Sequence, residues 1–570
     1  MLNLNELKKF VPITKQEMTA RGWTELDVLF ISGDAYIDHH SFGVPLLSRY
    51  LISKGYRVGI IAQPQNIDDL KKLGTPKLFI GIGTGVVDSM LNNYTADKKP
   101  RRDDEYSPAG KGGLRPDNAG VAYSKMARQA FPDSFIIGGG VEISLRRLSH
   151  YDYWQNKVLP SILITGEYDL IVYGMGEAAT LKICEALKKK DLSEIKKIRG
   201  VAYVTSKDEA KLIENRLVLP SYEEVKEDKK KFLKATNLYL DEINPYNAKT
   251  IIQYYRDNAV VVTPPPVPLT EAEMDEIYDL KFTKEQHWIY KDPIPALEMI
   301  KFSLTTNRGC FGGCTFCSIT LHQGKIVQSR SQSSIINEAK KLLSIPGFKG
   351  IITDLGGPTA NMYMLYCKNN EAKEQCKRPS CLHPEICKNL KTEHKEQIEL
   401  LKTISKILGI RKVFISSGVR YDLAMCDIEY LRELISEHVS GQLKVAPEHK
   451  DPKVLELMRK PSFETFLKFR EIFNRISKSV NKEQYLVPYF IASFPGTTND
   501  KMQDLETWLR KEHWKLQQVQ NFIPLPMTLA AAMYWSEMDY KTKEHINVPK
   551  TQEARQKQKS NLQSYKKGVK

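Results

Sequence analysis

The run Cys310-Phe-Gly-Gly-Cys314-Thr-Phe-Cys317 places three thiols within eight positions, spaced C-x3-C-x2-C, with two glycines in the first gap. A loop that compact can wrap three thiolates around one corner of an iron–sulfur cube and leave the fourth iron without a protein ligand. An iron with an open position can hold a small chelating molecule. The same residues could instead supply three of four zinc thiolates, with the fourth elsewhere, or serve as small buried hydrophobes. Zinc sites more often pair cysteines as two C-x2-C knuckles, so the spacing favours the cluster. The apolar stretch Ile300 to Leu304 just before it reads as a buried strand.

At 570 residues the chain exceeds one ordinary core, and about two to four domains are expected. A hydrophobic share of 41% and a charged share of 27% exclude a disordered chain. No uninterrupted apolar run reaches the roughly 20 residues a membrane span needs, and the N-terminus lacks the apolar core of an export signal. The nine cysteines lie mainly in two tight groups, which suits metal ligands in a reducing compartment better than a disulfide framework. The expected location is therefore cytoplasmic. The net charge is +16, and residues 541–570 carry nine basic and two acidic side chains, +7 of the excess. Such charge can serve nucleic-acid binding, although a solvated Lys/Gln-rich tail explains it equally.

The pattern of elements predicts an α/β protein. Apolar strands at Asp27–Ile31, Val58–Ile61, Leu78–Ile82, Phe135–Ile137 and Leu170–Tyr173 alternate with amphipathic helices, as in a doubly wound parallel sheet. Glycines follow several of these strands, where loops at the carboxyl ends line a ligand crevice. The polar stretch Lys98 to Asn118 is expected to be a mobile loop over the mouth of that crevice. Residues 200–219 read as a closing β-hairpin. From about residue 296 the alternation restarts, with six strand candidates over some 230 residues. This suits a partial (β/α)6 barrel with its chemistry at the carboxyl strand ends. The expected layout is an N-terminal Rossmann-like domain over 1–220, a connector over 221–295, a barrel over 296–540 and a basic tail over 541–570.

A second cysteine group, Cys367-x8-Cys376-x4-Cys381-x5-Cys387, falls in a polar insert at 358–393. Four thiols in 21 residues with few apolar neighbours are not explained by core packing, and a metal would supply the missing folding energy. Zinc and an auxiliary iron–sulfur cluster both fit four thiolates. In the N-terminal domain, Asp38-His39-His40-Ser-Phe-Gly43 follows the first strand and fits D-x-H-x-x-G, in which a histidine can reach the cobalt of a corrinoid. Asp and His at a strand end can also simply cap turns and helix starts.

The C-x3-C-x2-C loop and the strand ends after it resemble the radical S-adenosylmethionine superfamily. The chain over nearly its full length is similar to YgiQ-type members, whose reaction is unassigned. The matching segments include Gly33-Asp34-Ala-Tyr-Ile-Asp38-His39, Val172-Tyr-Gly-Met-Gly-Glu177 and Arg308-Gly-Cys310 through Cys317. Others are His322-Gln-Gly-Lys325, Asp354-Leu-Gly-Gly-Pro-Thr-Ala-Asn361, the four-cysteine insert and Lys444-Val-Ala-Pro-Glu448-His449. The resemblance implies a cobalamin-binding-like first domain and a [4Fe-4S] cluster on Cys310, Cys314 and Cys317, with S-adenosylmethionine on the open iron. It implies cofactor contacts at Gly356, Gly357, Arg420, Glu448 and Ile491: the glycines toward the methionine amine, Arg420 as a bidentate partner of its carboxylate, Glu448 toward the ribose and Ile491 under the adenine. A reductant such as flavodoxin or ferredoxin would supply the electron. The acidic residue often found after the glycine pair is missing here. In the family pattern the histidine falls at His39, one place from the cobalt-ligand position, and His40 stands where relatives commonly carry proline. The substrate is left open, with RNA or tRNA as the specific alternative suggested by charge and a noncatalytic metal-containing nucleic-acid-binding protein as the other.

Overall fold

A computed structural model describes residues 3–514, 516 and 519–563. The chain divides into two compact units, one running to Val267 and including Glu276–Lys301, the other made of Pro268–Asp275 and the residues from Phe302 onward.

The first unit is built on a nine-stranded sheet. Its strands are β1 (Val28–Ser32), β2 (Val58–Ala62), β3 (Phe79–Gly83), β4 (Ile136–Gly139), β5 (Leu170–Val172), β6 (Val201–Thr205), β7 (Arg216–Leu219), β8 (Thr250–Tyr254) and β9 (Ala259–Val262). They lie in the order β2-β1-β3-β4-β5-β6-β9-β8-β7. The first five are parallel, and all five residues of β1 are buried, as expected of strands covered on both faces. Helices Gly43–Ser53 and Glu177–Lys188 bury Leu51, Ile183 and Cys184 against Val28, Phe30 and Val58.

Three expectations are corrected here. Residues 200–219 do not form a hairpin: β6 pairs antiparallel with β9, and β7 pairs with β8. The stretch 221–295, expected as a connector, therefore contributes two strands to the sheet. Its charge-dense start, at 222–240, forms two helices whose N-caps Ser221 and Asp228 accept backbone N–H bonds.

The third concerns residues 98–118, which are a plug instead of a mobile loop. Strand order reverses between β1 and β3, the place where ligands enter open α/β sheets. Arg115, 2% exposed, sits there and donates to Thr84 O at 2.6 Å and to Asp34 Oδ1 at 2.7 Å, with Asp104 Oδ2 at 3.5 Å. Ala35 N–H donates to Tyr106 O at 3.0 Å, and Gln63 Nε2 to Ser107 Oγ at 2.7 Å. Gly33 lies so close that a Cβ would come within 2.1 Å of Thr84 O. Three guanidinium-directed contacts and this close approach tie residues 104–115 to the strand ends at this switch point.

The second unit is a partial barrel of parallel strands. They are β10 (Ser303–Thr305), β11 (Ile351–Ile352) continuing after Thr353 as β12 (Asp354–Gly356), β13 (Lys412–Val413), β14 (Gln442–Glu448), β15 (Tyr485–Ala492) and β16 (Val519–Asn521). Ser303 lies opposite Asp354, Ile351 opposite Lys412, Gln442 opposite Tyr485, and Phe490 opposite Val519. The helix over Phe463–Ser479 has apolar residues at 463, 466, 469, 473 and 476, the spacing of one helical face, and buries that stripe against Leu443, Val445 and Phe490. The strand expected at 300–304 begins only at Ser303, because Pro295 opens a helix over Pro295–Ile300.

The basic tail is also revised over its described part. A helix spans Gln552–Gln563, with Leu562 in the barrel core and Arg555 donating to Phe522 O. Gln558 Oε1 accepts from Ser493 N–H at 3.0 Å and from Thr497 Oγ1 at 2.9 Å. Its polar residues are ligands of barrel backbone, and residues 564–570 lie outside the described part.

Replacing Arg115 by alanine leaves Asp34 buried without its cation. A loss of about 3–5 kcal/mol is expected in denaturant unfolding of the first unit. Stability within ~0.5 kcal/mol of the parent would refute the plug as a structural element.

Candidate metal centre

The loop carrying Cys310, Cys314 and Cys317 is held by several distant segments. Gly309 has φ +84°, and a Cβ there would meet Ile326 O at 2.5 Å. Cys310 N–H donates to Gly324 O at 3.1 Å, and Thr315 N–H to Met458 O at 3.1 Å. Cys317 N–H turns back to Cys314 O at 3.2 Å, which gathers the last two thiols. Gly313, at φ +62°, lies against Pro379 O, where a Cβ would come to 2.3 Å.

Three groups reach the sulfurs. Gly312 N–H donates to Cys310 Sγ at 3.4 Å, Thr359 Oγ1 lies 3.5 Å from the same sulfur, and Arg420 Nη1 donates to Cys314 Sγ at 3.5 Å. Burial pushes the Cys310 thiol up and the Cys317 thiol up to about 12, and the neighbouring thiols push the same way. Three thiolates held this close repel one another in a site of low polarity, so a cationic group is what makes their ionised form favourable there.

Arg420 departs from the expected role. Its bidentate edge is engaged by Asp422, with Nε to Oδ1 at 3.0 Å and Nη2 to Oδ2 at 2.5 Å, leaving Nη1 for sulfur. Its guanidinium is therefore a positive wall beside the thiols, and the bidentate capture of a cofactor carboxylate by this edge is corrected. Glu448 follows a bulge after Val445, has φ +68°, and is buried with Lys460 Nζ at 3.7 Å. Burial raises its carboxyl pKa, and the Lys460 charge opposes that rise. Its charge is felt at Cys317, so Glu448 and the thiols share one neighbourhood. His449 is held neutral, its pKa lowered by burial to about 4.

Gly356 and Gly357 serve close approach: a Cβ would come within 2.1 Å of Ser417 Oγ and 2.7 Å of Asn307 O, respectively. They bring Thr359, two residues on, to Cys310. Asp354 Oδ1 ties the next strand end by accepting from Ser416 N–H at 2.8 Å and Ser417 N–H at 3.1 Å. Ile491 is half-buried on β15, one residue beyond Phe490, the register partner of Glu448. Sequence reasoning did not single out Thr359, Asp422 or Lys460. Asp422 carried a signal, an acid two residues after a barrel-mouth arginine; the others carried none.

The remaining candidates lie apart in sequence or in unit. In the first unit, Asp38 is fully buried and accepts from Arg49 Nε at 3.0 Å, Tyr36 OH at 3.2 Å and Thr283 N–H at 2.8 Å. His39 Nδ1 accepts from Ser41 N–H at 3.1 Å, and the His40 ring lies against His39, Tyr278 and Phe282. In the second unit the four-cysteine insert sits directly on the first cysteine loop. Cys381 N–H donates to Phe311 O at 2.9 Å, and Ser380 Oγ to Gly312 O at 2.7 Å. The insert also makes a small apolar core that composition did not suggest, with Met362, Leu365, Leu382 and Leu390 around Phe311. No cysteine is in a disulfide among the described residues. No three His, Cys, Asp or Glu side chains among the described residues are arranged to hold a single metal ion.

A barrel with a three-thiol loop after its first strand defines the class. The Radical SAM N-terminal family matches residues 10–303, and the Radical SAM superfamily matches residues 304–509. Within this class the chain belongs to the UPF0313 proteins, the YgiQ-type family of unassigned reaction. It is 46% identical to the UPF0313 protein of Methanocella arvoryzae over 556 residues, 97% of this chain and 92% of that one. To the Bacteroides thetaiotaomicron relative it is 46% identical over 572 residues, covering 96% and 92%. Among solved structures it resembles the radical S-adenosylmethionine methyltransferase TsrM from Kitasatospora setae with cobalamin and a [4Fe-4S] cluster bound. The TM-score is 0.53 at 12% identity, over 89% of this chain and 77% of that one, a likeness of fold. In this chain Asp38 is engaged by Arg49.

Gly313→Ala should force the insert off the loop. An extra methyl 2.3 Å from Pro379 O, at positive φ, is expected to cost ~1–3 kcal/mol. It should also speed limited proteolysis at the insert's lysines. Unchanged cleavage of 358–393 would refute the contact.

Proposed function

We propose that this protein, an enzyme of the radical S-adenosylmethionine class, cleaves S-adenosylmethionine reductively at a [4Fe-4S] cluster to make a 5'-deoxyadenosyl radical. We propose that Cys310, Cys314 and Cys317 hold that cluster. The observation carrying this is the three-sulfur loop with its own donors, Gly312 N–H and Arg420 Nη1, on two of the sulfurs. The donor set fits a cube that needs three protein thiolates and leaves one iron open.

The protein's own groups do the positioning. Arg420, fixed by Asp422, offsets thiolate charge and keeps the sulfurs oriented. Glu448 is in the left-handed region, as is Ser493 at the end of the adjacent β15, with φ +64°. Strain of this kind persists where surrounding structure enforces it, and here it turns two strand ends toward one mouth. A carboxylate there suits the ribose diol, and half-buried Ile491 offers an apolar bed for adenine. The Gly356–Thr359 segment lines the same mouth. A one-electron donor of the flavodoxin or ferredoxin class would serve the cluster, and a reducing, cytoplasmic setting suits free thiols. No helix among the described residues is long and apolar enough to cross a membrane.

An RNA or tRNA substrate is the second reading, favoured by the net charge of +16. It predicts binding whose log affinity falls linearly with log salt; a flat salt response would remove it.

Anaerobically reconstituted protein should release 5'-deoxyadenosine on adding dithionite and S-adenosylmethionine, and Cys310→Ala should abolish this. Glu448→Gln should raise the KM for S-adenosylmethionine about tenfold or more, by loss of a charge-assisted hydrogen bond. Cleavage that persists in Cys310→Ala would sink the assignment.

A further inference from the structure

We propose that Cys367, Cys376, Cys381 and Cys387 hold a second iron–sulfur cluster, and that this cluster locks the insert onto the radical-site loop. The thiols are scattered over 21 residues, yet backbone contacts gather them. Cys387 N–H donates to Cys381 O at 2.8 Å, closing one loop. Cys367 bridges to Leu390, whose N–H donates to Cys387 O at 2.9 Å, so the first cysteine is brought back to the last. Lys325 Nζ donates to Cys376 Sγ at 3.4 Å and also to Arg378 O. Cys381 is within electrostatic reach of Lys325 and of the other three cysteines.

Lys325 lies against this cysteine group. It is 6% exposed, and no carboxylate is paired with it among the described residues. A buried ammonium needs a negative partner. A carbonyl and a neutral thiol do not supply one, whereas a four-thiolate metal group carries net negative charge. Lys325 would then act on the cluster as a positioning residue, through its bond to the Cys376 sulfur.

Zinc and an iron–sulfur cube ask for different sulfur spacings. Four thiolates on one zinc ion, each at about 2.3 Å, stand within roughly 4 Å of one another. Among the described residues no three such side chains are gathered to hold a single metal ion. A cube binds each thiolate through a different iron and tolerates the wider set. The location gives the site its consequence. Cys381 and its neighbour Ser380 hold Phe311 and Gly312, the two residues between Cys310 and Gly313. A group that fixes Cys381 therefore fixes the backbone of the radical-site loop.

The test uses full-length chain reconstituted anaerobically with iron and sulfide. The Cys310→Ala/Cys314→Ala/Cys317→Ala variant should still hold about four iron and four sulfide per chain, and the parent about eight of each. Adding Lys325→Gln to the triple variant should make the remaining iron roughly tenfold easier to remove with chelator. Zinc in place of iron in the triple variant, or no retained metal, would overturn the proposal. Failure of the two readings is distinguishable: equal iron in parent and triple variant refutes the first site alone, while complete loss of iron from the triple variant refutes the second alone. Should Cys376→Ala/Cys381→Ala fold poorly, the triple variant still decides, because it leaves the insert intact.

Discussion

Everything at the barrel mouth depends on holding three half-buried thiols together on a loop with almost no secondary structure of its own. Such sulfurs gain nothing from one another, since each ionised neighbour opposes the next. The loop is therefore defined from outside: Gly324 O and Ile326 O on one flank, Met458 O and Leu457 O on another, Pro379, Ser380 and Cys381 on a third. Positive φ at Gly309 and Gly313 is what lets the backbone approach those walls. The Arg420–Asp422 pair then brings a fixed positive charge to Cys314.

The rest of the second unit exists to aim those walls. Parallel strands present their carboxyl ends at one mouth, and helices such as Phe463–Ser479 bury aromatic stripes behind them. The C-terminal helix bonds to backbone at Ser493 and Phe522, the ends of two of these strands, and so fixes the same mouth from the far side of the chain. The insert does this for the cysteine loop. Two segments that look dispensable by composition are thus structural ties to the site.

Parts of the site were legible in sequence for a plain reason: ligands within one short loop must be neighbours in space. Cys310, Cys314 and Cys317 needed no tertiary information, and the four cysteines of the insert announced themselves by composition. The barrel strands were legible because buried parallel strands read as apolar runs. Lys98–Asn118 and the tail are not legible from pattern, because both are polar and polar segments are usually solvated. Arg115 and Gln558 are buried only because Asp34, Thr84 O, Ser493 N–H and Thr497 wait for them elsewhere in the chain. The supposed hairpin at 200–219 failed for a related reason: its strands have better partners at 250–262, and a pattern of two does not name its neighbour.

By itself the sequence determined the α/β class and the residues able to bind metal, because these follow from local spacing and periodicity, and it carried the family through the resemblance of its motifs. Only the tertiary structure decided that Arg420 faces Asp422 and sulfur instead of a free carboxylate. It alone set Thr359 and Glu448 beside the thiols, tied Arg115 to Asp34 and Thr84 O, and seated the insert on the Cys310–Cys317 loop. Apart from the Arg420–Asp422 pair, two residues apart, those outcomes rest on groups meeting across tens of residues of chain, and local pattern carries no record of such meetings.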